Sequence, residues 1–147
     1  MTTRAEFIAT VRSYIGTPYH HQGRLPGVGM DCPGPLILAA RAHGIVAPDF
    51  DVTSYSREPD GHTLKRLLDD NLEPIPFDDA EPGDVLLGRF NGGRPRHIGI
   101  LTDNTSGRRY WIEAEAYRHR MVIEARLILG PRIMTIVQAY RVPGLEP

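Results

Sequence analysis

Apolar residues recur at helical spacing near the start of the chain, at Phe7, Ile8, Val11, Tyr14 and Ile15. Thr3-Arg4-Ala5-Glu6 precedes them as a capping box, in which the Thr oxygen takes the amide three residues on and Glu6 reaches back. Gly16 follows, open to the left-handed conformation that stops a helix. Thr17 to Met30 carries Pro18, Gly23, Pro26, Gly27 and Gly29, which predicts loop. A second helix is expected just after Asp31-Cys32. Pro33 suits its first position, where the missing amide hydrogen has no partner anyway. Leu36, Ile37, Ala39 and Ala40 give it an inward face, and Gly44 ends it. Residues 45–60 read as a connection containing Pro and Asp. Leu64, Leu67, Leu68 and Leu72 mark a third, short helix, and Pro74, Pro76 and Pro82 break the pattern.

Beyond this point the period changes from helical to alternating. Val85-Leu86-Leu87 follows Gly83-Asp84. Ile98, Ile100 and Thr102 alternate with His97, Gly99 and Leu101. Tyr110, Ile112 and Ala114 alternate with Trp111, Glu113 and Glu115. Met121 to Leu127 and Ile136 to Val142 complete a set of strands, with turn signals at Gly92-Gly93 and Ser106-Gly107. Helices first and neighbouring strands second predict an α+β fold, with helices on an antiparallel sheet. No repeat, low-complexity tract or linker interrupts it, so residues 1–147 are expected to form a single domain.

Composition narrows the function. The net charge of −1 gives no global electrostatic case for nucleic acid or an anionic membrane; Arg118-His119-Arg120 is only a local basic run. No apolar run approaches the roughly 20 residues needed to span a bilayer, so membrane insertion is not expected. The N-terminus lacks the apolar stretch of a secretory signal peptide. A substrate outside the cell would then require delivery by another device.

The chain has one cysteine, Cys32, which excludes an internal disulfide. Its predicted place at a helix start brings it near unpaired amides and the positive end of the helix dipole. Both favour thiolate over thiol, so a lowered pKa is expected, and the same amides suit an oxyanion. A buried cysteine under a helix cap is the bland alternative. A nucleophile needs a base, and His97 opens a strand on the face opposite Ile98 and Ile100. Glu113, on the next strand, is placed to hold the imidazole if the two strands pair. An exposed strand carboxylate is the equal alternative for Glu113. Adjacent His20 and His21 point opposite ways in an extended chain, and His43, His62 and His119 show no metal-ligand spacing. Neither metal nor cofactor is expected.

Gly16-Thr17-Pro18-Tyr19, Asp31-Cys32-Pro33-Gly34, Pro82-Gly83-Asp84-Val85, His97-Ile98-Gly99-Ile100 and Tyr110-Trp111-Ile112-Glu113-Ala114 resemble, in this order, the signature of the papain-like NlpC-type cell-wall cysteine peptidases. The resemblance runs from about Phe7 to about Val142. Pro18-Tyr19-His20-His21-Gln22-Gly23 and Tyr55-Ser56-Arg57-Glu58 resemble the subgroup found among phage tail proteins and gene transfer particles.

The resemblance implies hydrolysis of the D-γ-glutamyl to diamino acid link in peptidoglycan stem peptides. It implies Cys32 as nucleophile, His97 as base, Glu113 as third catalytic residue, Tyr19 and Cys32 at the oxyanion, and Asp31 and Gly34 toward substrate. It also implies a virion location at a phage tail tip, with tail-tip or hub proteins as partners. Two positions depart from the pattern. Pro33 stands where the family usually has Ser or another small or apolar residue, and Glu113 stands where it usually has His, Asn or Gln. Two other functions share this frame. One is a structural tail-tip component that keeps the fold without the activity. The other is an acyltransferase, because an amine or alcohol can replace water at the acyl-enzyme.

Overall fold

The computed structural model describes residues 1–58 and 60–147. Helix α1 spans Arg4–Arg12, with Thr3 at its N-cap and both hydrogen bonds of the capping box formed. Phe7, Ile8 and Val11 are its buried face. The helix ends earlier than the apolar pattern suggests: residues 13–16 are turns, Gly16 lies at φ +91°, and Ile15 is exposed.

Thr17 to Met30 is more ordered than a loop. Arg24–Leu25 (β1) and Gly29–Met30 (β2) pair as a small antiparallel hairpin. Two-residue strands carry too few positions for alternation to show in the sequence. Helix α2, Gly34–Ala42, begins one residue later than expected: Pro33 is its N-cap and Pro35 stands inside its first turn. Helix α3, Thr63–Asn71, follows the long connection.

The main sheet is built from β3 (Glu73–Ile75), β4 (Val85–Phe90), β5 (His97–Thr105), β6 (Arg108–Glu115), β7 (Met121–Arg126) and β8 (Met134–Arg141). Its order is β3-β8-β4-β5-β6-β7, with every neighbouring pair antiparallel. Strand β3 contains Pro74, which the sheet tolerates because β3 is an edge strand.

The sheet is apolar on both faces. On one face, Val85, Leu87, Ile98, Ile100, Ile112 and Tyr140 pack with Phe7 and Val11 of α1, Leu36 and Ala39 of α2, and Leu68 of α3. On the other, Leu86, Leu101, Trp111, Met134 and Ala139 form a second, smaller cluster under Phe77 and Leu129. Among the described residues, no helix is long and apolar enough to cross a membrane.

The Pro82-Gly83-Asp84 turn locks these layers together. Asp84 is wholly buried and accepts from Arg4 Nη1 of α1 at 2.9 Å and Arg141 Nη2 of β8 at 3.0 Å. It also accepts the Glu81 amide at 2.8 Å. One carboxylate thus fixes the first helix and a central strand to the start of β4.

Candidate active site

The site lies where α2 and β5 begin. The β5–β6 ladder has its last pair at Gly99–Glu113. Beyond it, the Cys32 sulfur lies against the freed strand backbone. It stands 4.0 Å from the Arg96 carbonyl oxygen, on one side of His97 in the chain, and the Ile98 amide, on the other side, favours its ionised form.

His97 and Glu113 share the sheet face opposite Ile98 and Ile112, as diagonal neighbours across the ladder. Their side chains meet: His97 Nε2 lies 2.8 Å from Glu113 Oε1, with both side chains about nine-tenths buried. This contact uses one ring nitrogen and leaves Nδ1 for other work. The imidazole is wedged between Phe90, at 5.5 Å between ring centres, and Trp111, at 5.3 Å and edge-on. Gly99 makes that wedge possible: a Cβ there would stand 2.0 Å from Trp111 Cε3.

Cys32 departs from the expected thiolate. Burial pushes the thiol up to about 12, and the neighbouring Asp31 carboxylate pushes the same way. The amides of Ile98 and Cys32 itself, and the Arg24 guanidinium, pull it down without prevailing. The helix start offers fewer free amides than its place in the sequence suggests. Pro33 and Pro35 have no amide hydrogen, and the Gly34 amide is spent on the Asp31 carbonyl at 3.0 Å.

Tyr19 lines the same cleft, held by its amide on the Arg120 carbonyl at 2.8 Å. Burial, then the closeness of Cys32 and Asp31, pushes its hydroxyl up to about 12, so it remains a proton donor at neutral pH. Asp31 also borders the cleft but is buried. Its carboxylate accepts from Arg24 Nη1 at 2.7 Å, the Gln22 amide at 2.7 Å, and the Tyr55 hydroxyl. Three donors on two oxygens make it a structural hub rather than a free hand for substrate. Gly34 does not line the cleft. It is buried where α2 meets the hairpin, and a Cβ there would stand 3.1 Å from Met30 Cβ and 3.4 Å from the Gly23 carbonyl oxygen. Its lack of a side chain serves packing.

The cleft has a volume of about 410 Å³. One wall is the connection before α3, and two residues whose part the sequence did not reveal hold it. Gln22 Nε2 donates to the Thr53 carbonyl at 2.7 Å and the Tyr55 carbonyl at 3.0 Å. Arg24 pairs with Asp51 at 3.0 Å and donates to the Val52 carbonyl at 3.2 Å. Burial and the bond to Asp31 push the Tyr55 hydroxyl far above its ordinary pKa. The signal was in the sequence, where Gln22 and Arg24 flank Gly23 and Tyr55 opens its own motif, but only the fold joins the two segments. Among the described residues, no cluster of three or more His, Cys, Asp or Glu side chains could hold a metal ion.

No family model matches the chain, and no curated protein does. Solved structures do. A protein described as similar to lipoprotein, of the NLP/P60 family, from Staphylococcus aureus subsp. aureus Mu50 superposes with a TM-score of 0.62 at 17% identity, over 98% of this chain. The chain spans 42% of that protein's length. The NlpC/p60 domain of the peptidoglycan hydrolase SagA superposes with a TM-score of 0.53 at 23% identity, over 85% of this chain and 90% of that one. With its helices packed on an antiparallel sheet, this chain has the α+β papain-like fold of the NlpC/P60 proteins.

Proposed function

We propose that this chain is a cysteine peptidase that hydrolyses peptidoglycan stem peptides at the link from D-γ-glutamyl to the diamino acid. The observation that carries the reading is the buried His97–Glu113 pair, with His97 and Cys32 both lining one cleft of peptide size. The likeness of the fold to the SagA domain, which belongs to a peptidoglycan hydrolase, supports the substrate class.

The chemistry follows from the arrangement. Glu113 accepts the Nε2 proton of His97, which fixes the ring and leaves Nδ1 as base. Nδ1 takes the thiol proton as the sulfur attacks the scissile carbonyl, and the carbonyl π electrons move to oxygen. The Tyr19 hydroxyl donates to that oxyanion, beside the Cys32 amide. Collapse expels the amine, which takes the proton from His97, and leaves a thioester on Cys32. Water then enters with His97 again as base and releases the acid. Because the resting thiol is pushed up to about 12, the proton moves to His97 in the substrate complex rather than beforehand.

The same raised thiol favours a second reading, in which the chain keeps the fold as a structural component. Incubation of the purified protein with defined muropeptides, with products identified by mass, separates the two. Fragments ending in D-γ-glutamate support hydrolysis; intact muropeptides support the structural reading. The phage-type segments at Pro18–Gly23 and Tyr55–Glu58 further support delivery on a phage tail tip in contact with hub proteins. Proteomics of purified particles should detect the chain; its presence in infected-cell lysate but not in particles would oppose delivery.

A further inference from the structure

Two arginines, Arg57 and Arg96, line the cleft with Cys32, Tyr19 and His97, and among the described residues neither forms a salt bridge. We propose that Arg57 and Arg96 form an anion subsite for the free α-carboxylate of the γ-linked glutamate beside the scissile bond. The inference rests on the stem-peptide reading above and adds to it how the acyl side of the substrate is selected.

The geometry of the substrate requires such a charge to lie near the sulfur. A γ-glutamyl link uses the side-chain carboxyl, so the α-carboxylate stays ionised only three carbons from the carbonyl under attack. In a cleft walled by protein, an unpaired carboxylate is costly, and a guanidinium meets it with paired donors.

Both arginines are close enough to act there. Each favours the ionised form of the Tyr19 hydroxyl, which places positive potential where the oxyanion forms. Arg96 is pre-ordered: its guanidinium lies 5.3 Å from the centre of the Tyr117 ring and donates to the Tyr117 hydroxyl. Arg57 is exposed on the wall that Gln22 and Arg24 hold.

The acids of the cleft do not cancel these charges equally. Asp60 is occupied by the His62 and Thr63 amides and the Thr63 hydroxyl at the start of α3. Glu115 is occupied by the amides of Tyr117, Arg118 and His119. Glu58 remains beside Arg57, so the acyl carboxylate is matched to the Arg96 side of the pair first.

The test uses L-Ala-γ-D-Glu-diaminopimelate and its analogue with the α-carboxylate amidated, which keeps the same scissile bond. Binding of each to the Cys32→Ala protein is measured by calorimetry at low and high salt. Turnover of each by the wild type is followed by mass. The acid should bind roughly 10- to 100-fold more tightly than the amide, on the scale of a charge-assisted contact. Salt should weaken that preference. Arg96→Gln and Arg57→Gln should each reduce it, Arg96→Gln more. Equal binding of acid and amide, or a preference unchanged in both variants, overturns the subsite. So does a failure of both peptides to bind. Preferential binding of the acid without wild-type turnover would keep the subsite and remove the hydrolase. Equal turnover of both peptides would keep the hydrolase and remove the subsite.

Discussion

At Cys32, burial and Asp31 oppose two amides and Arg24, and burial prevails. The resting thiol should therefore be neutral at pH 7. Its reaction with iodoacetamide should be slow there and rise through the alkaline range; a titration midpoint below pH 7 would contradict this. The folded state holds the proton more tightly than the unfolded chain, where the thiol pKa is about 8.5. The stability from the buried thiol is thus full below about pH 8.5 and is lost as pH rises toward about 12. Urea unfolding of wild type and Cys32→Ser should show the difference between them shifting against the wild type over that window. The sequence placed Cys32 near a helix start. It also shows Pro33 and Pro35, which remove two of the amides a helix start would otherwise offer the sulfur. Glu113 was harder to judge. Its contact with His97 depends on strand register, which alternation alone does not set. Replacing Glu113 by Gln keeps an acceptor but removes the charge that stabilises the imidazolium. It should lower kcat by about 10- to 1,000-fold, measured on a stem tripeptide.

At the scale of the elements, position on the sheet depends on contacts that the sequence shows only as fragments. Pro82-Gly83-Asp84 was legible as a motif, but its use was not, because Arg4 and Arg141 lie far away along the chain. Removing the carboxylate leaves two guanidiniums facing a buried gap. Asp84→Ala should cost about 3 to 5 kcal/mol in urea unfolding while the activity per folded molecule changes little. Gly99 acts differently. Gly99→Ala must displace the Trp111 indole, which packs against His97. It should cost about 1 to 3 kcal/mol of stability and lower kcat as well. Unchanged kcat would show that the indole does not hold the base. The three helices and the long strands were readable because their apolar periods extend over several turns or pleats. The hairpin at Arg24–Met30 and the edge strand at Glu73–Ile75 were too short, and tertiary pairing makes them.

For the whole molecule, the sheet brings together segments far apart in sequence. The start of α2, the start of β5 and the end of β6 supply Cys32, His97 and Glu113, while the hairpin and the connection before α3 supply a wall. The residue types of the centre were therefore visible in the sequence, and the wall was not. Gln22, Arg24, Asp31 and Tyr55 gain meaning only when they touch. The most direct test of this arrangement is turnover of L-Ala-γ-D-Glu-diaminopimelate by the wild type and by Cys32→Ala, with products identified by mass and folding checked for both. The wild type should release L-Ala-γ-D-Glu and diaminopimelate, and the folded Cys32→Ala variant should release neither. Cleavage at the wild-type rate by the alanine variant, or an intact tripeptide after incubation with the wild type, would contradict a cysteine hydrolase at this site.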